Sequence, residues 1–323
     1  MWTRPDIAKS NKTLIITGII CAVILTGFVL AESFIPKKTD AEKELAIRYM
    51  SEMIDAVSDY CRENDIKTEK AADPLETGLI GYEWTAMTTT IGHLEAKRTT
   101  LNPVFASLMV TLLREADVET GDIIALGCSG SFPGLLLACL AGAKAMELNC
   151  KSIISLGASS FGANRPELTI LDIYQILIDN ELITDRLVGV SLGGEGDTGQ
   201  EWDRDIREKL LQKILLSDIP FIREEDLMKN VSQRAELFGF NTDLVPKVFI
   251  NAGGATANIG ISPSILHLKP GVIQAIKLPP PEQQGVLHYA LRRNIPVIHL
   301  LFIKGLILEY ALPWDPVIIQ HAE

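Results

Sequence analysis

Apolar positions divide the chain into three regimes. Leu14 to Ala31 is an unbroken uncharged run, LIITGIICAVILTGFVLA. From Thr39 to Asn64 apolar residues recur at helical spacing, with Leu45, Ile47, Met50, Met53, Ile54 and Val57 on one stripe. From Asp122 onward, short apolar runs alternate with longer amphipathic stretches. The runs predict strands at 123–126, 152–156, 187–192, 219–222, 246–250 and 295–301. The stretches predict helices from Pro103 to Glu115 or Ala116, over 134–148, after a Thr169 cap, and over 202–217, 224–238, 282–292 and 302–311. Strands alternating with helices predict an α/β fold: a mostly parallel, doubly wound sheet with helices on both faces. One N-terminal transmembrane helix precedes it.

The stretch 120–164 organises this core. A strand runs into Gly127-Cys128-Ser129-Gly130-Ser131, a turn too small and glycine-rich for anything but a close backbone reversal. Pro133 opens the following helix, with Ser131 available as its cap. This βαβ unit is expected to aim free backbone N–H groups and hydroxyls beyond the strand ends, which suits an anion. Two other readings stay open: a well-made turn with no ligand, and a serine nucleophile. Ser131 stands where the G-x-S-x-G elbow requires glycine. Similar small-residue turns follow at 157–164, 193–199 and 251–260. All fall on the carboxyl edge of the sheet, where ligands of such folds sit.

The uncharged span covers about 27 Å as a helix, close to the thickness of a bilayer core. Residues 1–12 are a short tail bearing Arg4, Lys9 and Lys12, and residues 13–31 the anchor. Val29-Leu30-Ala31 also resembles a cleavage site, so an uncleaved anchor and a processed signal segment both fit. Lys37, Lys38, Lys43 and Arg48 balance the basic residues before the span. The short basic N-terminus favours a body outside the cytoplasm, on a single-pass cell-membrane protein. Residues 32–118 are then a helical stalk and a Thr-rich segment packing on the core, and residues 119–323 the α/β core itself.

Charge and cysteine usage narrow the chemistry. With 323 residues and a net charge of −11, nucleic acid is not a partner. An acidic ligand still fits if a local pocket overrides the global field. Of the five cysteines Cys21 lies in the span, and Cys61, Cys128, Cys139 and Cys150 have no C-x-x-C spacing. The histidines 93, 267, 288, 299 and 321 are scattered, so no metal site is expected. No cofactor is implied. A single disulfide is compatible with an extracytoplasmic body, but no pair is singled out.

The segment 79–103 is dense in threonine, and Lys97-Arg98 stands beside Thr99-Thr100. It reads either as a carboxylate- or phosphate-holding segment or as a surface loop with a solvated basic pair. Asp172, in the first turn of its helix, either complements the dipole or points into the cleft. The candidate ligand residues are Lys97, Arg98, Ser129, Gly130, Ser131, Ser159, Ser160, Asn164, Gly193, Gly194, Asn251, Gly253 and Gly254. If the site is catalytic, Ser129 or Ser131 is the candidate nucleophile and His299, Asp172 or Asp197 the candidate base.

Several strings together resemble the poly-gamma-glutamate system protein family. They are Thr88-Thr89-Thr90, 94–99 (LEAKRT), Asn102-Pro103, 127–133 (GCSGSFP), 157–164 (GASSFGAN), 191–197 (SLGGEGD), Asn251-Ala252-Gly253-Gly254, 296–301 (PVIHLL) and 312–316 (LPWDP). The resemblance covers nearly all of the body, and it carries over no catalytic residue. It implies a membrane-anchored accessory of capsular poly-γ-glutamate synthesis or export, binding the anionic polymer or a synthase or transport subunit. The first alternative is a serine-dependent amide hydrolase or transferase acting on that polymer. The second comes from 121–124 (GDII) followed by Ser129-Gly130-Ser131, which looks like the phosphosugar-binding turn of a sugar-phosphate isomerase-like domain.

Overall fold

Seven strands make one sheet, in the order β10-β11-β9-β2-β3-β7-β8. The central strand is β2 (Ile123–Ser129), which pairs in parallel with β3 (Asn149–Ser155) on one side and β9 (Phe249–Ala252) on the other. Beyond β3 lie β7 (Leu187–Ser191) and β8 (Phe221–Ile222), both parallel. Beyond β9 lie β11 (Val297–His299), parallel, and β10 (Gly271–Ile273), antiparallel. The chain thus winds outward from β2 through β3, β7 and β8, then crosses back to β9 and winds the other way. The reversal falls between β2 and β9, the switch point at which such sheets open a crevice.

The computed structural model describes residues 38–315, together with Thr17 and Ile20; the expected membrane span 13–31 otherwise lies outside the described residues. No helix among the described residues is long and apolar enough to cross a membrane. The chain divides into residues 1–41 and a compact unit 42–323, which contains the sheet.

Alternation along β2 shows how both faces of the sheet are covered. Ile124, Leu126 and Cys128 join one core with Met50, Phe105, Met109, Leu135 and Ile173. Ala125 joins the other with Phe238, Phe240, Phe249, Val286 and Leu287. Successive strand residues point to opposite faces, so two apolar layers require helices on both sides. The first layer comprises α1 (Lys38–Glu63), α3 (Val104–Glu115), α4 (Pro133–Ala145), α5 (Ile170–Asp179) and α6 (Arg204–Leu215). The second comprises α7 (Leu227–Phe238) and α9 (Val286–Arg292). Helix α1 buries Ala46, Met50, Met53, Val57 and Cys61 at three- and four-residue spacing. Its Glu42 is held by Arg114 of α3.

The Thr-rich segment is not an open loop. It forms β1 (Thr88–Thr90), which pairs in parallel with β4 (Ala158–Ser159), and then α2 (Leu94–Thr100). Helix α2 meets α4 so closely that a Cβ placed on Gly134 would lie 2.5 Å from the Thr100 carbonyl oxygen. A small hairpin of β5 (Asn164–Arg165) and β6 (Leu168–Thr169) leads into α5. The short α8 (Thr256–Ile259) follows β9, and α10 (Ile303–Glu309) follows β11.

Candidate functional site

At the carboxyl edge of the sheet five strand ends open into one cavity of about 930 Å³. Strand β2 contributes Ser129, Ser131 and Phe132, β3 contributes Ser155, Gly157 and Ser159, and β7 contributes Gly193, Gly194, Glu195 and Asp197. Gly254 follows β9, and Phe302 and Lys304 follow β11. The segment 89–97 forms a further wall with Thr89, Gly92, His93, Glu95 and Lys97. The turns expected to converge do share a space: Ser129, Ser159, Gly194 and Gly254 line the same cavity.

Lys97 is one of the charged side chains lining this site. It is 2% exposed, and its ammonium nitrogen sits 3.6 Å from the centre of the Phe132 ring. Nζ donates to the Ser131 carbonyl and, over 2.7 Å, to Ser159 Oγ. No carboxylate among the described residues pairs with it. Burial therefore pushes Lys97 down to about 7, since desolvation penalises the charged form. Ser131 Oγ accepts from the Ser159 backbone N–H at 3.1 Å, which fixes the loop bearing the second serine.

The β7 end holds a different device. Asp197, 6% exposed, accepts from Ser191 Oγ (2.7 Å), Asn230 Nδ2 (2.9 Å) and Arg234 Nη2 (2.7 Å). Arg234, fully buried, also reaches Ser191 Oγ at 2.8 Å and Asn230 Oδ1 through Nε at 2.8 Å. Ser155 Oγ lies 2.9 Å from Ser191 Oγ. The Asp197 carboxylate is consumed by this network and is not disposed as a free base.

The glycines do other work than the sequence predicted. Some of their backbone N–H groups are spent on neighbouring strands: in the first turn Gly130 N donates to Ser155 O, and in the second Gly157 N donates to Leu192 O. A Cβ on Gly130 would lie 2.7 Å from Leu156 O, and one on Gly157 would lie 2.6 Å from Gly194 N. These residues are small because the loops stack backbone against backbone. Ser131 does not cap α4, whose first turn has no side-chain cap. One backbone N–H does hold a carboxylate: Glu195 N donates to both Glu201 carboxylate oxygens, at 3.0 and 3.1 Å. Gly193 and Gly194, with φ of 80° and 73°, give that loop its curvature. Side chains in this cleft that can meet an anion include Lys304 and the serine hydroxyls.

Several sequence candidates lie outside the lining. Arg98 makes a two-pronged pair with Asp315, at 2.7 and 2.5 Å, and so clamps the segment after α10. Asn164 ties Tyr82 and Thr88 together, and Ser160 Oγ donates to Thr90 O. Asp172 forms a capping box with Thr169 and pairs with Lys213 at 2.5 Å, so it serves its own helix. His299 is 1% exposed, accepts at Nδ1 from Asn251 Nδ2 (3.1 Å), and is pushed by burial down to about 4. Asn251 also donates to Gly253 O. Ser129 Oγ is buried with no hydrogen-bond partner among the described residues, so neither His299 nor an acid activates it. The thiols of Cys61, Cys128, Cys139 and Cys150 are free and buried.

Sequence reasoning missed Lys304, Glu201, Asn230 and Arg234. Only Arg234 left a signal: it falls among Val231, Ala235 and Phe238, on the apolar stripe of α7, where a solvated arginine has no place. Comparison with family models, with curated proteins and with solved structures gives no match for this chain.

Proposed function

We propose that this protein is a membrane-anchored accessory of poly-γ-glutamate synthesis or export, whose strand-end cleft holds the polymer by its α-carboxylates. The observation that supports it most is the convergence of Lys97, Lys304 and the hydroxyls of Ser129, Ser131 and Ser159 on one cavity of an otherwise acidic protein. Charge is ordered along the cleft. Lys304 stands at the β11 end, and Glu195 and Glu201 at the β7 end. Those ends are four strand steps apart, about 19 Å. A γ-linked glutamate chain carries one carboxylate on each residue and a free ammonium at its start. Such a chain is accommodated with its ammonium toward the acids and its following carboxylates toward Lys304 and the serine hydroxyls. In this reading the uncharged run 13–31 anchors the body at the membrane where the polymer emerges.

The test is binding of a fluorescent γ-glutamyl oligomer to the full chain in detergent micelles. Saturable binding that weakens between 50 and 200 mM salt is expected, because exposed charge pairs are screened. Lys304→Ala should weaken it about fivefold, the loss of one solvent-accessible ion pair of about 1 kcal/mol. Absence of saturable binding, or equal affinity for wild type and Lys304→Ala, refutes the reading.

A further inference from the structure

We propose that Ser159 and Lys97 form a serine–lysine dyad that cleaves or transfers γ-glutamyl amide bonds in this cleft. Four serines line the cavity, and their surroundings separate them. Ser129 Oγ has no partner among the described residues. Ser155 is tied into the Asp197–Arg234 network. The Ser131 hydroxyl accepts from Ser159 N, and its carbonyl holds Lys97. Ser159 alone has a nitrogen base on its hydroxyl, Lys97 Nζ at 2.7 Å. Gly92 packs against the pair: a Cβ there would lie 2.7 Å from the Ser160 carbonyl oxygen, 2.9 Å from Ser159 Oγ and 3.3 Å from Lys97 Cε, so only glycine fits beside it.

A lysine serves as base only when neutral, and burial without a carboxylate partner brings Lys97 to about 7. The other charged groups facing the cavity are His93 and Glu95 from its own segment, Glu195, Asp197 and Glu201 after β7, and Lys304 after β11. In the first step Ser159 Oγ attacks the amide carbonyl carbon while its proton passes to neutral Lys97 Nζ. The C–N bond then breaks, Lys97 returns the proton to the leaving amine, and an ester remains on Ser159. Water, or the amine of another glutamyl chain, attacks that ester. Lys97 takes the attacking group's proton and delivers it to Ser159 Oγ. The net reaction is hydrolysis or transpeptidation, with no other reactant.

The amide chemistry stands on the dyad geometry; the choice of γ-glutamyl substrate rests on the polymer-binding reading above, and two assays separate them. In the first, the full chain in detergent is treated with a fluorophosphonate, and the modified peptide is located by mass spectrometry. Labelling at Ser159 is expected, with a rate that rises through pH about 7. Lys97→Met should reduce it at least ~1,000-fold, the scale of losing a general base from such a unit. In the second, poly-γ-glutamate is incubated with wild type and Ser159→Ala, and its length and amine ends are measured. Shortening or exchange by wild type alone supports the proposal. Polymer bound but uncut, with Ser159 unlabelled, overturns the dyad and leaves the binding reading intact. Ser159 labelled while the polymer is neither bound nor cut overturns the substrate and the binding reading together. Should Ser159→Ala fail to fold, the labelled position in wild type decides: modification of another serine, or of none, overturns the dyad.

Discussion

Replacing Lys97 by methionine should flatten a pH dependence of stability that the wild-type protein carries. The side chain is 2% exposed and pairs with no carboxylate among the described residues, and burial holds it near 7 against an ordinary value of 10.5. Between those values the unfolded chain binds a proton that the folded chain does not, so stability rises with pH across the window. The penalty is complete below pH 7 and is relieved as pH climbs toward 10.5. At pH 7 it amounts to about 4 kcal/mol, and at pH 9 to about 2 kcal/mol. The wild type therefore gains about 2 kcal/mol between pH 7 and 9, or about 3–4 °C in Tm for a body of this size. The buried thiols of Cys61, Cys128, Cys139 and Cys150 are raised by burial and pull the opposite way, equally in both proteins. Lys97→Met also removes the donor from Ser131 O and Ser159 Oγ, which shifts the level of stability, so the slope carries the test. Thermal melts of both full-length proteins in detergent at half-unit pH steps measure it. Parallel slopes would refute the reasoning, for then Lys97 is charged in the folded state throughout.

Arg234→Met should destabilise by about 3–5 kcal/mol in urea unfolding, because it strands the Asp197 carboxylate in a buried site. Arg234→Met combined with Asp197→Asn should recover part of that loss, and a single-variant loss under about 1 kcal/mol would show the pair is not integrated. Gly134→Ala should cost about 1–3 kcal/mol by overpacking, since its methyl meets a backbone carbonyl that cannot rotate aside. An unchanged Tm would mean that α2 docks on α4 less tightly than the structure places it.

The alternation of apolar runs and amphipathic stretches was enough to read the parallel α/β core, because buried central strands and their covering helices write their periods directly into the sequence. The ends were less readable. Strand β9 starts at Phe249 rather than Pro246, and β8 keeps only Phe221–Ile222 of the expected run. The antiparallel β10 escaped notice, since three residues at a sheet edge leave no periodic trace. Helix α2 was hidden by Thr99 and Thr100, poor helix formers whose hydroxyls instead donate back to Glu95 O and Lys97 O. Among the candidate site residues, the turns pointed to the strand-end edge where Ser129, Ser131 and Ser159 line one cavity. What they could not reveal was partnership: Lys97 and Ser159 are 62 positions apart, and Arg98, adjacent to Lys97, turns instead to Asp315.

Two buried cations show how differently this fold treats charge. Arg234 meets a carboxylate, two serine hydroxyls and an asparagine through Nε and Nη2, while its Nη1 is buried with no partner among the described residues, so its charge is answered chiefly by Asp197. An arginine keeps its charge, and a directly paired carboxylate is the arrangement that makes its burial tolerable. Lys97 receives no such treatment. Its neighbours are a carbonyl, one hydroxyl and an aromatic face, which ease an ammonium but do not neutralise it. Were Lys97 only an anchor for the 94–100 helix, methionine would fill the same space without the desolvation penalty. A lysine held near its own neutral point is of use where a proton must be taken and returned, and the atom it is positioned to take one from is Ser159 Oγ.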